Sequence, residues 1–356
     1  MDIYVLNENF ETVGILDHYE SLIWTDRYYG YGDFEIYTNF TSSILAMMQH
    51  DRYLQIADSD HMMIVESVEV ASDAELGERL IISGRSLESI LTRRIIWNTI
   101  SVTGSLQTGL AGIINANFTN PTDSKRQISN FIFEPSTDPR ITALTWEQQM
   151  TGDNIYDVVT ALCEENQIGF KVTLNDLNQF VMTLYMGDDH SYDQDPDTNP
   201  YVVFSPSYEN IINSNYLDNT TEMKNVALVA GEDSGSARRT ITIGATEGLP
   251  RRELYVDARD IQSEQVTSYN DALKERGLQY LDENKRVISF EGKVEATKMF
   301  RYGVDFFMGD IIQITNEYGI EGAARVVEFI HNEDSTGKQT YPTFEAIQEN
   351  DYDIIT

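Results

Sequence analysis

The alternation of apolar and polar positions is clearest between residues 20 and 39. An apolar and aromatic run, Leu22 to Trp24, leads into a turn rich in tyrosine and glycine, after which Phe34 and Ile36 alternate with polar side chains. A period of two sends successive side chains to opposite faces of a strand. The pattern therefore predicts a β-hairpin of an antiparallel sheet or barrel, with Trp24, Phe34 and Ile36 turned toward the core.

Shorter alternating runs surround this hairpin. They predict strands at residues 2–6, 12–16, 53–57, 61–70 and 76–83, and a short helix capped by Thr41 or Ser42. Because closure removes exposed strand edges, these runs, about six strands with the hairpin, are expected to form a closed or nearly closed barrel.

Helical spacing of apolar residues begins after this unit. It predicts helices at residues 84–96, starting from Gly84, and at 105–117. The first carries an arginine pair, Arg93 and Arg94, near its C-terminus, where cations are favoured. A structural role for that pair is favoured over a phosphate site. Residues 118–145 contain three prolines and predict an irregular surface connection.

A well-patterned helix is predicted from Asp153, because its apolar residues recur at helical spacing: Ile155, Val158, Val159, Leu162 and Cys163. Gly169 is expected to close it. Strands at 170–174 and 180–186 follow, so a small α+β insertion is predicted. Cys163, the only cysteine, is interpreted as a core residue.

The last third of the chain returns to strand patterns, at residues 226–230 and 237–243, with a helix opened by a capping box of Ser268 and Asp271. A weak internal echo is also present: residues 51–56 before 64–68 are similar to residues 310–314 before 326–329, with a one-residue slip.

The net charge of the chain argues against some classes of function. The 356 residues include 58 acidic and 25 basic side chains, a formal net charge of -33. Such a field repels nucleic acid and argues against a DNA-binding or RNA-binding role. The 41% hydrophobic content favours a folded chain over a disordered one. No apolar run approaches the roughly 20 residues that span a bilayer, so neither a signal peptide nor a membrane anchor is expected.

An acidic loop after residue 187 is the one candidate metal site. Its alternating oxygen ligands are Asp193, Asp195, Asp197 and Asn199. A calcium loop of this type needs glycine at its sixth position and glutamate at its twelfth. Thr198 and Phe204 stand there instead, so a solvated acidic loop is favoured. No cofactor is expected.

Catalytic motifs are absent from the sequence: there is no G-x-S-x-G, H-E-x-x-H or C-x-x-C, and the five histidines are scattered. We therefore expect no catalytic residues.

The pattern ILD-x-Y-x-SLIWT-x-RY-x(3)-GDFEI, residues 15–36, resembles the opening of the tail-hub proteins of long-tailed bacteriophages, a family that includes the N-terminal module of tail-associated lysins. Further similar blocks lie at 84–96, 251–261 and 302–330. The residues that carry the resemblance are expected to be structural: Trp24, Arg27, Tyr28, Gly32, Asp33, Phe34, Gly84, Arg85, Gly309 and Asp310.

The resemblance implies a mainly β, α+β fold with two tail-tube-like antiparallel barrels. The expected domains are a first barrel at 1–100, a helical connection with the α+β insertion at 101–220, and a second barrel with one helix at 221–356. It also implies a homotrimeric hub at the distal tip of the virion tail. Its expected partners are the distal tail protein, the tape-measure protein and tip or receptor-binding proteins, while phage DNA passes through unbound.

Two alternatives stay open from the sequence. One is a tail-associated hydrolase that degrades peptidoglycan, since related hubs often carry such a domain. The other is an acidic β-protein such as a carbohydrate-binding module, which would not need to form a threefold ring.

Overall fold

The computed structural model describes residues 1–73, 77–195, 198–232, 235, 238–264, 268–294, 299–319 and 321–346. Its α-helices are α1 Ser42–Met47, α2 Leu106–Ile114, α3 Pro139–Thr142, α4 Ile155–Glu165 and α5 Tyr269–Glu283. Its strands are β1 Ile3–Leu6, β2 Thr12–Leu16, β3 Ser21–Arg27, β4 Asp33–Asn39, β5 Tyr53–Gln55, β6 Met63–Asp73, β7 Gly77–Ser86, β8 Ile100–Ser105, β9 Phe131–Glu134, β10 Thr145–Met150, β11 Gly169–Leu174, β12 Phe180–Tyr185, β13 Val203–Phe204, β14 Ile211–Asn219, β15 Val226–Ala230, β16 Thr240–Ile243, β17 Glu253–Asp257, β18 Val287–Val294, β19 Ile311–Thr315, β20 Glu321–Asp334 and β21 Gly337–Ala346. The mainly β, α+β class is confirmed.

One large sheet of 13 strands organises the molecule. Its hydrogen-bonded path runs β14-β18-β21-β20-β3-β4-β7-β6-β5-β1-β2, with β19 beside β20 and β13 beside β19. The path has two ends, so the expected closed barrel is not found among the described strand pairings. The physical reason is that β3 pairs with β20 from the far end of the chain and does not close on β1 or β2.

Two stretches of this sheet have the same strand order. The first block is β3-β4-β7-β6-β5, and the second block is β14-β18-β21-β20-β19. Every pairing within both blocks is antiparallel. The internal echo in the sequence therefore falls on corresponding strands.

Local irregularities also correspond. β6 has a bulge between Val65 and Ser67, and β20 has one between Val326 and Glu328. Before β5, Asp51 has φ 60° and its amide bonds to the Val65 carbonyl; before β19, Gly309 has φ 90° and its amide bonds to the Val326 carbonyl. Asp51 thus corresponds to Gly309 and not to Asp310, which explains the one-residue slip.

The middle of the chain forms one apolar core with the first block. Leu87 and Leu91, in a 3₁₀-helix at Leu87–Arg93, pack in the same cluster as α2, α4 and β11. The helix predicted at 84–96 is thus a shorter 3₁₀-helix, since Gly84 belongs to β7. The surface connection predicted at 118–145 is wrong: Phe118, Phe131 and Ile141 are fully buried, and β9 adds a parallel strand to the β11-β12 hairpin.

Two predicted helix termini differ from those observed. α4 begins after Asn154, whose side chain accepts the Tyr156 amide, and ends at Glu165, with Asn166 as the C-terminal cap; Gly169 instead starts β11. Ser268 is the residue that precedes α5, but its side chain makes no capping hydrogen bond. α1 is capped by Thr41 as predicted.

A separate three-stranded sheet, β16-β15-β17, packs against α5 through Ala227, Val229, Ile243, Val256 and Leu273. None of the helices in the described part of the chain is long and apolar enough to cross a membrane. The three-domain division at 1–100, 101–220 and 221–356 stays a prediction. The sheet and the core both run across those boundaries.

Candidate assembly site

The turn between β3 and β4 holds a closely packed aromatic ring. Tyr28 is fully buried, and its ring centroid lies 5.2 Å from that of Tyr185. Gly169 and Gly309 face the ring, and a Cβ at either position would overlap it. Gly309 also has φ +90°, which favours glycine. Tyr28 packs in the core of the second block, so the turn of the first block anchors the second.

Arg27 joins the two blocks at their shared boundary. Its Nε donates to Glu328 Oε1 at 2.7 Å, and its Nη1 donates to Asp33 Oδ2 at 3.0 Å. Asp33 in turn lies opposite Arg85 in the β4-β7 pairing, and Arg85 holds Glu66 with two hydrogen bonds of 2.6 and 2.7 Å. These half-buried charges form a line across β20, β3, β4, β7 and β6.

Beneath this line lies the predicted aromatic core. The rings of Trp24 and Phe34 are 6.0 Å apart and almost fully buried. Gly84 lies opposite Phe34, and a Cβ there would overlap the Ile64 carbonyl. Gly32 donates its amide to Ser86 Oγ at 2.7 Å, and a Cβ there would overlap the Thr25 carbonyl. Both glycines thus sit where two strands approach too closely for any side chain.

Asp310 fixes the start of β19 in the second block. Its carboxylate accepts the amides of Asp188 at 2.8 Å and Phe307 at 2.7 Å, and His190 Nε2 lies 3.5 Å away. Burial raises the pKa of this carboxyl, while the two amides and His190 oppose the shift. The resemblance residues therefore lie on β3, β4 and β7, in the β3-β4 turn and at the start of β19, and their structural role stays a prediction.

A buried ionic network that the sequence did not predict lies under the boundary. Asp26 Oδ2 is 3.7 Å from His331 Nε2 across the β3-β20 pair, and His61 Nδ1 is 3.2 Å from Glu88 Oε1. Burial lowers the pKa of His61, but Glu88 and Asp26 outweigh it and raise this pKa to about 9. Burial also raises the pKa of Asp26, yet the two histidines and Ser59 hold it below its ordinary value. No sequence spacing links these residues, because they come from four separate elements.

The arginine pair has structural contacts. Arg93 forms an ion pair with Asp51 at 3.0 Å, and Arg94 Nε donates to the Arg126 carbonyl at 3.1 Å. Arg126 itself lies over the ring of Trp97 at 5.0 Å, and that ring is 63% exposed. Backbone carbonyls and one carboxylate thus engage these guanidinium groups, which supports the structural interpretation.

The acidic loop is ordered by amide contacts. Gln194 Oε1 accepts the Asn199 amide at 2.8 Å, and the Asn199 side chain donates to the Asp189 carbonyl at 2.9 Å. Of the candidate calcium ligands, Asp193, Asp195 and Asn199 are described and Asp197 lies outside the described residues. The described residues contain no group of three or more His, Cys, Asp or Glu that could hold a metal ion.

Comparison with solved structures gives matches over almost the full chain. A prophage tail protein, gp18, of Listeria monocytogenes EGD-e is 13% identical with a TM-score of 0.57, covering 99% of this chain and 95% of that one. A tail protein of Neisseria meningitidis MC58 is 13% identical with a TM-score of 0.59, covering 97% and 96%. A 43 kDa tail protein of prophage MuSo2 from Shewanella oneidensis is 11% identical with a TM-score of 0.61, covering 97% and 98%. At such low identity these matches show a shared fold.

No curated protein matches the sequence. A family model does match, over residues 2–344, and its description is the Siphovirus ReqiPepy6 Gp37-like protein. This match and the shared fold support a structural tail protein and not an enzyme, so the hydrolase alternative is set aside. The chain belongs to the Siphovirus ReqiPepy6 Gp37-like protein family.

Proposed function

We propose that this chain assembles as a homotrimeric hub that closes the distal end of a long-tailed phage tail tube and links it to the tail-tip or receptor-binding apparatus. One observation carries the proposal: a single chain contains two blocks with the same strand order, bulge and left-handed residue. Three such chains would present six similar blocks around an axis. That arrangement matches a sixfold tube to a threefold tip.

The boundary between the two blocks supports this arrangement. β20 of the second block pairs directly with β3 of the first, so neighbouring blocks in one chain are joined edge to edge. Blocks joined in this way around a ring would form a tube-like wall, and each would then contribute to a barrel. The partners of the hub would be the distal tail protein, the tape-measure protein and tip or receptor-binding proteins.

The charge supports a passage through which DNA moves without being held. With a net charge of -33, acidic side chains near the lumen would repel phosphate. Screening limits this repulsion to about 8 Å at physiological ionic strength, so only groups close to the axis contribute. We propose that Asp and Glu from the two blocks line this passage.

The mass and the shape of the assembled protein test the proposed trimer. Light scattering of the purified protein at micromolar concentration is expected to give three times the chain mass of 40.6 kDa, and electron microscopy is expected to show a ring with a central passage. A monomer that persists when the neighbouring tail proteins are added would refute the trimer. A ring with a neutral or basic passage would refute the proposed acidic lining and leave the trimer standing.

A further inference from the structure

The boundary inside the chain has a defined register. The C-terminal half of β20 runs antiparallel to β3, with Glu328 opposite Arg27 and His331 opposite Trp24. On this half of β20, Phe329 and His331 are both buried, and His331 Nε2 lies 3.7 Å from the Asp26 carboxylate of β3. β20 therefore has two neighbours in succession: its N-terminal half pairs with β19 and its C-terminal half pairs with β3.

β6 is the strand of the first block that corresponds to β20. Its N-terminal residues pair with β5, as those of β20 pair with β19. Counting from the two bulges, Ser67 corresponds to Glu328 and Val70 to His331. The described strands include none beside the residues that follow Ser67 in β6, on the side where β5 pairs.

β14 is the strand of the second block that corresponds to β3. In the first block, one row of paired residues across the sheet consists of Trp24, Phe34, Gly84 and Val65. In the second block, the matching row consists of Tyr216, Phe290, Phe344 and Val326. Tyr216 therefore corresponds to Trp24, and β14 ends the path of the sheet as far as it is described.

Both strands expose an apolar side chain along these edges. Val70 on β6 is 50% exposed, and Leu217 on β14 is 44% exposed, whereas the corresponding His331 and Thr25 are buried. Unpaired strand edges with apolar side chains are ready templates for pairing with another chain. Among the described strands, the edge of β6 that corresponds to β20 and the edge of β14 that corresponds to β3 therefore have no neighbouring strand, whereas β20 and β3 pair with each other.

We propose that β6 of one copy pairs antiparallel with β14 of the next copy, in the register that joins β20 to β3 inside the chain. Val70 then lies opposite Tyr216, Glu69 opposite Leu217 and Ser67 opposite Asn219. The interface uses two different edges, so it is head-to-tail, and three copies related by a threefold rotation close into a ring. This inference rests on the proposed homotrimer and specifies which strands join its copies.

Cross-strand cysteines test the register. Side chains directly opposite each other on antiparallel strands have Cβ atoms about 4.5–5.5 Å apart, close enough for a disulfide. Glu69→Cys combined with Leu217→Cys is expected to give covalent two-chain and three-chain species after mild oxidation. The natural Cys163 is buried and leaves the background low.

The matched control combines Glu69→Cys with Leu228→Cys. Leu228 is 42% exposed, like Leu217, but lies on β15 outside the large sheet. This control and each single cysteine variant are expected to stay uncrosslinked. A second test uses charge: Val70→Lys is expected to weaken assembly about tenfold or more, because it brings an ammonium group into the interface. Val13→Lys, on the exposed β2, is expected to leave assembly unchanged.

The outcomes separate the two proposals. A stable trimer that neither crosslinks at Glu69 and Leu217 nor responds to Val70→Lys would overturn the strand assignment and leave the homotrimer standing. A protein that stays monomeric with its tail partners present would overturn both. Crosslinked trimers that require both cysteines would support both.

Discussion

At Gly309, experiment can separate the contributions of backbone conformation and of side-chain packing to the free energy of unfolding. A residue with a side chain at φ +90° pays about 1–2 kcal/mol for the left-handed conformation. Replacing glycine by alanine recovers about 0.4–1 kcal/mol by restricting the unfolded chain. The backbone effect of Gly309→Ala is therefore a loss of about 1 kcal/mol.

Packing adds a second loss at this site. The new methyl group would overlap the ring of Tyr28, which is fully buried and also packs closely against Gly169. The hydroxyl of Tyr28 also donates to the Gln167 carbonyl at 3.2 Å, which further fixes the ring. Overpacking of a core costs about 1–3 kcal/mol. Gly309→Ala is thus expected to lower the free energy of unfolding by about 2–4 kcal/mol.

The matched control is Gly303→Ala. Gly303 has φ +79°, but a Cβ there would meet no atom within 4 Å, so only the backbone loss of about 1 kcal/mol is expected. Urea unfolding followed by tryptophan fluorescence measures both variants, with the slope checked for constancy. Adding Tyr28→Leu to Gly309→Ala should recover part of the loss as a coupling energy of about 1–3 kcal/mol. If Gly303→Ala and Gly309→Ala lowered the free energy of unfolding by the same amount, the packing argument would be refuted.

Three further predictions concern the core and its charges. Phe34→Ala is expected to cost about 3–5 kcal/mol, because the ring is almost fully buried; normal melting with loss of binding would show that it is a binding residue. The pKa of Glu275 is raised from its ordinary 4.5 to about 7, first by burial and then by the nearby carboxylates Glu165, Glu147 and Asp271. The folded state therefore loses stability as pH rises from about 4.5 to 7, because the unfolded chain gives up this proton first. Glu275→Gln should therefore raise Tm at pH 8 and leave it unchanged near pH 4, and an equal shift at both pH values would contradict the assignment. The raised pKa of His61, about 9, means that its ion pairs stabilise the fold fully below pH 6.5 and are lost as pH rises through 9. His61→Gln should cost about 3–5 kcal/mol at pH 6, because it leaves the buried Glu88 carboxylate without its positively charged partner, and less at pH 10; calorimetry at the two pH values would check this.

Local patterns predicted the parts of the fold that depend on local residues. The β3-β4 hairpin was predicted because Phe34 and Ile36 alternate with polar residues, and α4 because its apolar residues recur at helical spacing. Neither pattern depends on distant partners.

Elements defined by distant contacts were missed. β9 is short and follows several polar residues, and it becomes a strand only because β12 offers a parallel edge. β14 contains alternating asparagines that do not favour strands, and it is held by β18. The large sheet likewise stays open because β3 pairs with β20, and no local sequence pattern predicts that pairing. The ionic network of Asp26, His61 and His331 was missed for the same reason.

The joining of β3 to β20 sets an order of events during protein synthesis. Arg27 and Glu328, which meet across this pair, are 301 positions apart in the chain. At a translation rate of about 5–20 residues per second, β3 leaves the ribosome roughly 15–60 s before its partner strand exists. During that interval a strand carrying Leu22 and Trp24 has one edge open to other nascent chains. Folding of the first block is therefore completed only near the end of translation, and its yield should depend on chaperones that cover this edge meanwhile.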